Sequence, residues 1–387
     1  MYWWTGIEAV RRVAYLPHHL AGGLLLVLSI LLLSRLRLAQ GLILVLIFIS
    51  LLLAFIHPPS LFIILLVLPA SIILFQITNS LSQKKLSLNY LINRLFDKSY
   101  LGFVVYWLAS LALLLFMLSQ TNKGFPWSQY LDWEKDLQFP LSSELVQAMG
   151  ILFPFSLIGI LSALLTKKYK YIMIVCWLIA PFLLTPFAPF LGISNIRLIQ
   201  GVPFLPLSIL AIFGIKTLLN ILEKITKRKA VKEICLMLIF AIFTFFTVPS
   251  ISWSMKNQIN EYWPIFGNVY LDNRLFSTFD FINNNFPPKT NTLSTFYSGN
   301  YLPAYTHTTS YLGHFGYTYN LKIKEEKVMK FFQNKMSPEE AKELILSNNI
   351  VLIFQGPEEK PIHNGYLYPE ILKPVYDKDE ATVYVLN

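Results

Sequence analysis

Pro17-His18-His19 sets two imidazoles side by side where the first long apolar run begins. Near neutral pH such rings bind a diphosphate or polarise a hydroxyl; the same residues also serve as polar fillers at a lipid boundary. Without a third ligand at metal spacing the pair makes no zinc site. Arg197, in Gly192-Ile-Ser-Asn-Ile-Arg-Leu-Ile-Gln200-Gly-Val-Pro203, is the sole cation of its loop. A guanidinium there can hold a lipid phosphate through two parallel N–H bonds, a geometry Lys lacks. Gln200, three residues further, is a second candidate substrate contact, and the alternative for Arg197 is a snorkelling interfacial anchor.

Acids that could take a proton from an acceptor hydroxyl are few. The segment Gln120 to Ser143 holds Trp127, Tyr130, Asp132, Trp133, Glu134, Lys135 and Asp136. Rings beside carboxylates suit sugar recognition, and an amphipathic helix lying in the membrane interface explains the same composition. The candidate acids are Glu8, Asp132, Glu134, Asp136 and Glu144. Near the C-terminus, Ser298-Gly-Asn-Tyr-Leu-Pro-Ala-Tyr leads to Gly313-His314-Phe-Gly316-Tyr-Thr318. Glycines around His314 let backbone approach a ligand or turn tightly, while His314 and Thr318 supply polar groups to a ligand or to a turn.

These residues must be positioned by a membrane bundle. A bilayer core of about 30 Å takes roughly 20 apolar residues per helix, and eight runs meet or approach that length, near 18–36, 40–57, 59–79, 101–119, 145–166, 169–190, 202–222 and 233–253. Runs this long and unalternating are helices and not barrel strands. Residues 1–253 carry 20 Lys and Arg against 8 Asp and Glu, whereas residues 254–387 carry 12 against 14. The basic excess is therefore a topology signal and gives no argument for nucleic acid. Alternate loops hold Arg35 and Arg37, then Lys84, Lys85, Arg94 and Lys98, then Lys167, Lys168 and Lys170, then Lys216 and the cluster Lys224 to Lys232. Cytoplasmic loops retain cations, so the other side, and both termini with it, is expected to face outward. Met1-Tyr-Trp-Trp, with Arg11 and Arg12 before the first span, reads either as an interfacial helix over Tyr2 to Leu16 or as the start of a chain whose earlier spans lie upstream. The spans hold almost no ionisable groups, which disfavours a coupled transporter. Cys176 and Cys235 both fall in spans, so the C-terminal region has no disulfide, and there are no phosphate loops, G-x-S-x-G elbow or H-E-x-x-H.

The C-terminal region, residues 254–387, reads as a small α/β domain. The pattern predicts a helix over Phe276 to Asn285, strands at Asn291 to Phe296 and Ser310 to Leu312, and a helix over Lys324 to Gln333. Ser337-Pro338-Glu339-Glu340 is a capping box opening a helix to Ser347. Strands follow at Ile350 to Phe354 and Ala381 to Leu386. The whole is a polytopic helical bundle of about eight spans, residues 1–253, with a C-terminal soluble α/β domain.

Apolar spans, the Pro-His-His start, the Asn-Ile-Arg-Leu-Ile-Gln loop and a tail carrying Gly-Asn-Tyr-Leu-Pro-Ala-Tyr and Gly-His-Phe-Gly-Tyr-Thr together resemble bacterial GT-C-type membrane glycosyltransferases. The resemblance implies a multi-pass protein of the cytoplasmic membrane that takes a sugar from a polyprenyl-phosphate donor and passes it to a glycan, lipid or protein acceptor at the outer face. Metal use varies in such enzymes, so a divalent cation is the one cofactor it suggests. Family members carry an essential acid in the first outer loop, but here Ile56-His-Pro-Pro-Ser60 has none; in a chain matching only the later part of the family, that acid would lie upstream. Two other readings stay open: a polysaccharide polymerase or ligase, and a non-catalytic scaffold that binds lipid or glycan.

Overall fold

Leu, Ile, Val and Phe in unbroken runs can pair their backbone only within a helix when water is absent. The computed structural model describes residues 17–35, 39–83, 97–121, 123–138, 146, 149–199, 204–260, 271–378 and 380–387. In chain order its first helices are α1 (Pro17–Leu33), α2 (Gln40–Ile56), α3 (Pro58–Ser82) and α4 (Leu101–Thr121), followed by the short α5 (Trp127–Asp136). Then come α6 (Leu152–Thr166), α7 (Tyr169–Leu184), the one-turn α8 (Asn195–Ile199), α9 (Phe204–Thr226) and α10 (Lys229–Asn260). Five of these segments are long and apolar enough to cross a membrane: α3, α4 with the turn before it, α7 with the turn after it, α9 and α10. Helices α1, α2 and α6 are equally apolar and shorter. The chain is thus a helical protein of membrane type. The helix envisaged over Tyr2 to Leu16 lies outside the described residues.

Local chemistry sets where the helices stop. His57 precedes Pro58 and Pro59, and a residue before proline is pushed out of the α region; it adopts φ −154° and ψ 72° and separates α2 from α3. Lys167 (φ 53°) and Lys227 (φ 54°) take left-handed backbone between α6 and α7 and between α9 and α10, closing each helix as a C-cap does. Bonds between helix ends show the reversal directly: His19 at the start of α1 meets His57 just past the end of α2, and Gln76 near the end of α3 donates to the hydroxyl of Tyr100 just before α4 (2.6 Å). Midway along, Ser110 donates to Ser50 (2.9 Å) and Ser50 to Tyr106 (3.0 Å), joining α2 to α4. Around these bonds Leu46, Leu53, Leu61, Ile64, Phe103 and Met173 form a continuous core.

The chain divides into two compact units, Met1–Lys123 with Tyr130–Ile259, and Gly124–Gln129 with Asn260–Asn387. The second unit is built on five strands, β1 (Asn291–Leu293), β2 (Thr309–Ser310), β3 (Leu352–Gln355), β4 (Leu372–Lys378) and β5 (Ala381–Leu386), in the order β2-β1-β3-β5-β4. Strands β2, β1 and β3 are parallel, β5 is antiparallel to β3, and β4 is antiparallel to β5. One apolar cluster joins α13 (Leu321–Phe332) and α14 (Pro338–Ser347) to Leu293, Ile353 and Tyr384. The other joins α11 (Leu275–Asn285) and α12 (Ser298–Tyr305) to Phe354, Ala381 and Val383, as alternation of side chains along a strand requires. The capping box at Ser337 forms in full, Glu340 N–H to Ser337 Oγ (3.2 Å) and Ser337 N–H to Glu340 Oε2 (2.8 Å). Helix α12 and strand β4 are additions to the sequence pattern: α12 contains Gly299 and Pro303, poor helix formers, and β4 contains Pro374 and a bulge between Pro374 and Tyr376. Strand β1 stops at Leu293, three residues short of the predicted end, because Thr295 turns to bond Glu359.

Candidate functional site

The first unit gathers ionisable side chains at one end of its helices. Helix α5 brings Glu134 inward on its last turn, and the loop before α8 folds back on it. Ser194 N–H donates to Glu134 Oε2 (2.9 Å), and Ser194 Oγ donates to the Leu137 carbonyl. Gln138 staples the same loop from the other side: its Oε1 accepts from Asn195 N–H (3.1 Å), and its Nε2 donates to the Glu134 and Ile193 carbonyls (both 3.1 Å). Gly192 takes φ +69° where the loop turns beside Leu131, a conformation that costs glycine little.

This loop delivers Arg197. Its guanidinium grips the Glu134 carboxylate through Nε (2.9 and 3.2 Å) and Nη2 (2.7 Å), and it lies over the Trp133 ring at 5.8 Å, within cation–π range. Both side chains are largely buried, 16% exposed for Arg197 and 12% for Glu134. Breaking such a pair by removing one partner costs about 3–5 kcal/mol, since the other charge is left unmatched.

Arg197 Nη1 points at His19 Nε2 (3.3 Å), His19 Nδ1 meets His57 Nε2 (3.2 Å), and His57 Nδ1 meets Ser60 Oγ (2.8 Å). Ser60 in turn donates to the Gly22 carbonyl (3.4 Å). Arginine only donates, so its bond to Nε2 assigns the proton of His19 to Nδ1; that proton makes His57 Nε2 an acceptor and assigns the proton of His57 to Nδ1. A single donor direction runs from the guanidinium through two uncharged imidazoles to a hydroxyl. Space for it comes from Gly22, one turn beyond the two histidines of α1: a Cβ at Gly22 would overlap the Cβ and ring of His57. The His18 ring lies tilted against that of His19, with centroids 4.2 Å apart, and is itself exposed.

Of the residues singled out in the sequence, Glu134, Arg197, His18 and His19 are brought together. Asp132 is exposed and reaches Lys135 (3.9 Å) on its own helix. Glu8, Glu144, Gln200 and the Asp136 side chain lie outside the described residues. His57 and Ser60, absent from the sequence candidates, complete the chain; the signal was His57 before a Pro-Pro pair, with Gly22 placed at i+4 from His18 and i+3 from His19. A divalent cation does not fit this group: the imidazole nitrogen of His19 facing outward takes a hydrogen from Arg197, and a guanidinium stands where a metal would. Among the described residues no three His, Cys, Asp or Glu side chains are placed to hold a metal.

In the second unit the two other candidates sit in one turn. His314 stacks on Phe315 (4.6 Å), approaches Tyr317 (5.0 Å) and accepts from Gly316 N–H at Nδ1 (3.1 Å); burial lowers its pKa. Thr318 Oγ1 accepts from Gly313 N–H (3.2 Å). Gly313 and Gly299 bring their backbones into direct contact, so that a Cβ on Gly299 would overlap the Leu312 carbonyl. The close approach made possible by these glycines is of backbone to backbone. Buried Glu359 ties the ends of β1 and β3, accepting from Thr295 N–H (2.8 Å), Thr295 Oγ1 (2.6 Å) and Gly356 N–H (2.9 Å); burial raises its pKa against the pull of these bonds. Against known proteins, no family profile matches the chain and no curated protein matches its sequence.

Proposed function

We propose that the chain is a membrane glycosyltransferase, or the later part of one, passing a sugar from a polyprenyl-phosphate donor to a glycan, lipid or protein acceptor at the outer face of the bacterial cytoplasmic membrane. The observation that carries this reading is the buried Glu134–Arg197 pair with His19 and His57 behind it. Burying ionisable groups in a membrane bundle is expensive and points to function, and this set offers a guanidinium fork that could hold phosphate and a carboxylate that could take a proton.

In the reaction the bond between sugar C1 and the phosphate oxygen breaks while the acceptor oxygen bonds to C1. Arg197 holds the departing phosphate, whose charge grows as the bond breaks. The fork that now holds Glu134 is the edge that would take two phosphate oxygens. Donor binding therefore trades carboxylate for phosphate on Arg197 and frees Glu134 Oε1 to take the acceptor proton. His19 stays against Nη1 and keeps the guanidinium aimed. The apolar bundle houses the prenyl chain.

The test is transfer by the full chain in liposomes containing a polyprenyl-phosphate hexose. Arg197→Ala is expected to lower turnover about 10²–10³-fold, the effect of removing one preorganised donor to a developing anion. Arg197→Lys should recover part of it, and Glu134→Gln should reduce turnover with donor binding retained. Unchanged turnover in Arg197→Ala overturns the phosphate role; no transfer by the wild-type chain overturns the enzymatic reading in favour of a scaffold.

A further inference from the structure

The edge of the second unit's sheet carries a polar row where an apolar one would be ordinary. Gln355 on β3 pairs with Thr382 on β5, and Thr382 pairs with Asp377 on β4, so the three share one sheet face across three strands. Tyr384, two residues from Thr382, adds a hydroxyl to that face. The loop after β3 runs beside them and leaves a half-open cavity of about 190 Å³. The bulge in β4 next to Asp377 bends this edge strand, a device that re-aims side chains beside sites.

Most of the lining is already fixed. Gln355 donates to the His363 and Gly365 carbonyls (2.9 and 3.2 Å) and accepts from the Tyr384 hydroxyl (2.6 Å). Asp377 accepts from Thr382 at one oxygen (2.8 Å) and from Tyr366 at the other (2.9 Å). A carboxylate has about four acceptor positions, so each oxygen of Asp377 keeps one for a ligand. Lys360 and Asn364 also line the cavity, and neither side chain makes a hydrogen bond with the described residues. The Tyr366 ring, 57% exposed, forms one wall.

We propose that this cavity binds one pyranose ring of a glycan. Adjacent hydroxyls of a sugar donate to Asp377 and accept from Lys360 and Asn364, while its C–H face lies on Tyr366. Opposed charges argue against the other classes: Lys360 repels a cation, Asp377 repels an anion, and the polar lining gives an apolar ligand nothing. A cavity below the 300–1,000 Å³ range of drug-sized ligands suits a single ring. The site is separate from the Glu134–Arg197 cluster, and binding is measured without donor or transfer, so its outcome does not depend on the transferase reading.

The experiment is saturation-transfer NMR on the full chain in nanodiscs, with methyl glycosides of glucose, mannose, galactose and N-acetylglucosamine as probes at millimolar concentration. At least one glycoside is expected to show transfer to its ring protons. Asp377→Asn should weaken that binding about tenfold or more, the effect of losing hydrogen bonds to a charged group, and Tyr366→Ala should abolish it. Lys373→Ala, exposed on β4 outside the cavity, should leave it unchanged. Tyr366→Ala alters an exposed ring and gives a reading even where Asp377→Asn disturbs the strand edge. No transfer to any of the four probes, or transfer undiminished in Tyr366→Ala, overturns the proposal.

Discussion

A guanidinium cannot accept a hydrogen bond, and that one fact orders the polar chain of the bundle: Arg197 imposes the tautomer of His19, and His19 that of His57. The arrangement depends on a side chain that is missing. Gly22→Ala places a methyl group on the His57 ring, and forcing a side chain out of a packed site costs about 1–3 kcal/mol. The expected result is a lower unfolding temperature in detergent together with weakened coupling between His19 and His57, seen as altered imidazole ¹⁵N shifts; unchanged shifts would mean that His57 has room to spare. Asp377 makes a pH prediction. Its bonds from Thr382 and Tyr366 hold its pKa below the ordinary carboxylate value, so the native state favours the ionised form. The stability it contributes is fully present above the unfolded value of about 3.9 and is lost as pH falls through the lowered one. In Asp377→Asn this acid-sensitive component should vanish from a denaturation-versus-pH profile, leaving the rest of the curve in place.

At the scale of elements, α6 and α9 cross backbone to backbone. A Cβ on Gly159 would overlap the Leu210 carbonyl and one on Gly214 the Phe155 carbonyl, and Ser162 and Thr217 bond across the gap (2.8 Å). Small residues let helix backbones meet where lipid offers no hydrophobic drive. Gly159→Leu should therefore separate the helices and expose the α6–α7 turn to limited proteolysis, whereas Ser162→Ala should cost only about 0.6 kcal/mol, the mean for such bonds. The long helices were legible in the sequence because an apolar run of that length has one way to pair its backbone, and α14 was legible because its capping box is local. Strand β4 was hidden: Pro374 argues against a strand, and only its edge position makes proline tolerable. Likewise, Arg197 and Glu134 were each visible as isolated charges, but nothing local to either reveals a contact across 63 positions. His57 was visible as a boundary, and only the missing side chain at Gly22 makes it part of a site.

For the whole molecule, helix alternation puts the Glu134–Arg197–His19 group at one end of the bundle and the turns bearing Arg35, Lys167, Lys168, Lys227 and Arg228 at the other. Retention of cations on the cytoplasmic side then makes the polar group, and the second unit that follows α10, outward-facing in the proposed topology. Cysteine labelling tests this directly, since the chain has two cysteines, buried Cys176 and half-buried Cys235, and replacing both with alanine clears the background. Lys342→Cys on α14 and Arg228→Cys in the α9–α10 turn both place a thiol at an exposed position. A membrane-impermeant maleimide applied to intact cells stripped of their outer wall should modify the first within the time in which the second stays unlabelled, and permeabilisation should make the second reactive. Reversed labelling would put Arg197 on the cytoplasmic side. Sugar transfer would then have to draw on donors at the inner leaflet, and the outer-face reaction proposed for the Glu134–Arg197 pair would fall with the topology.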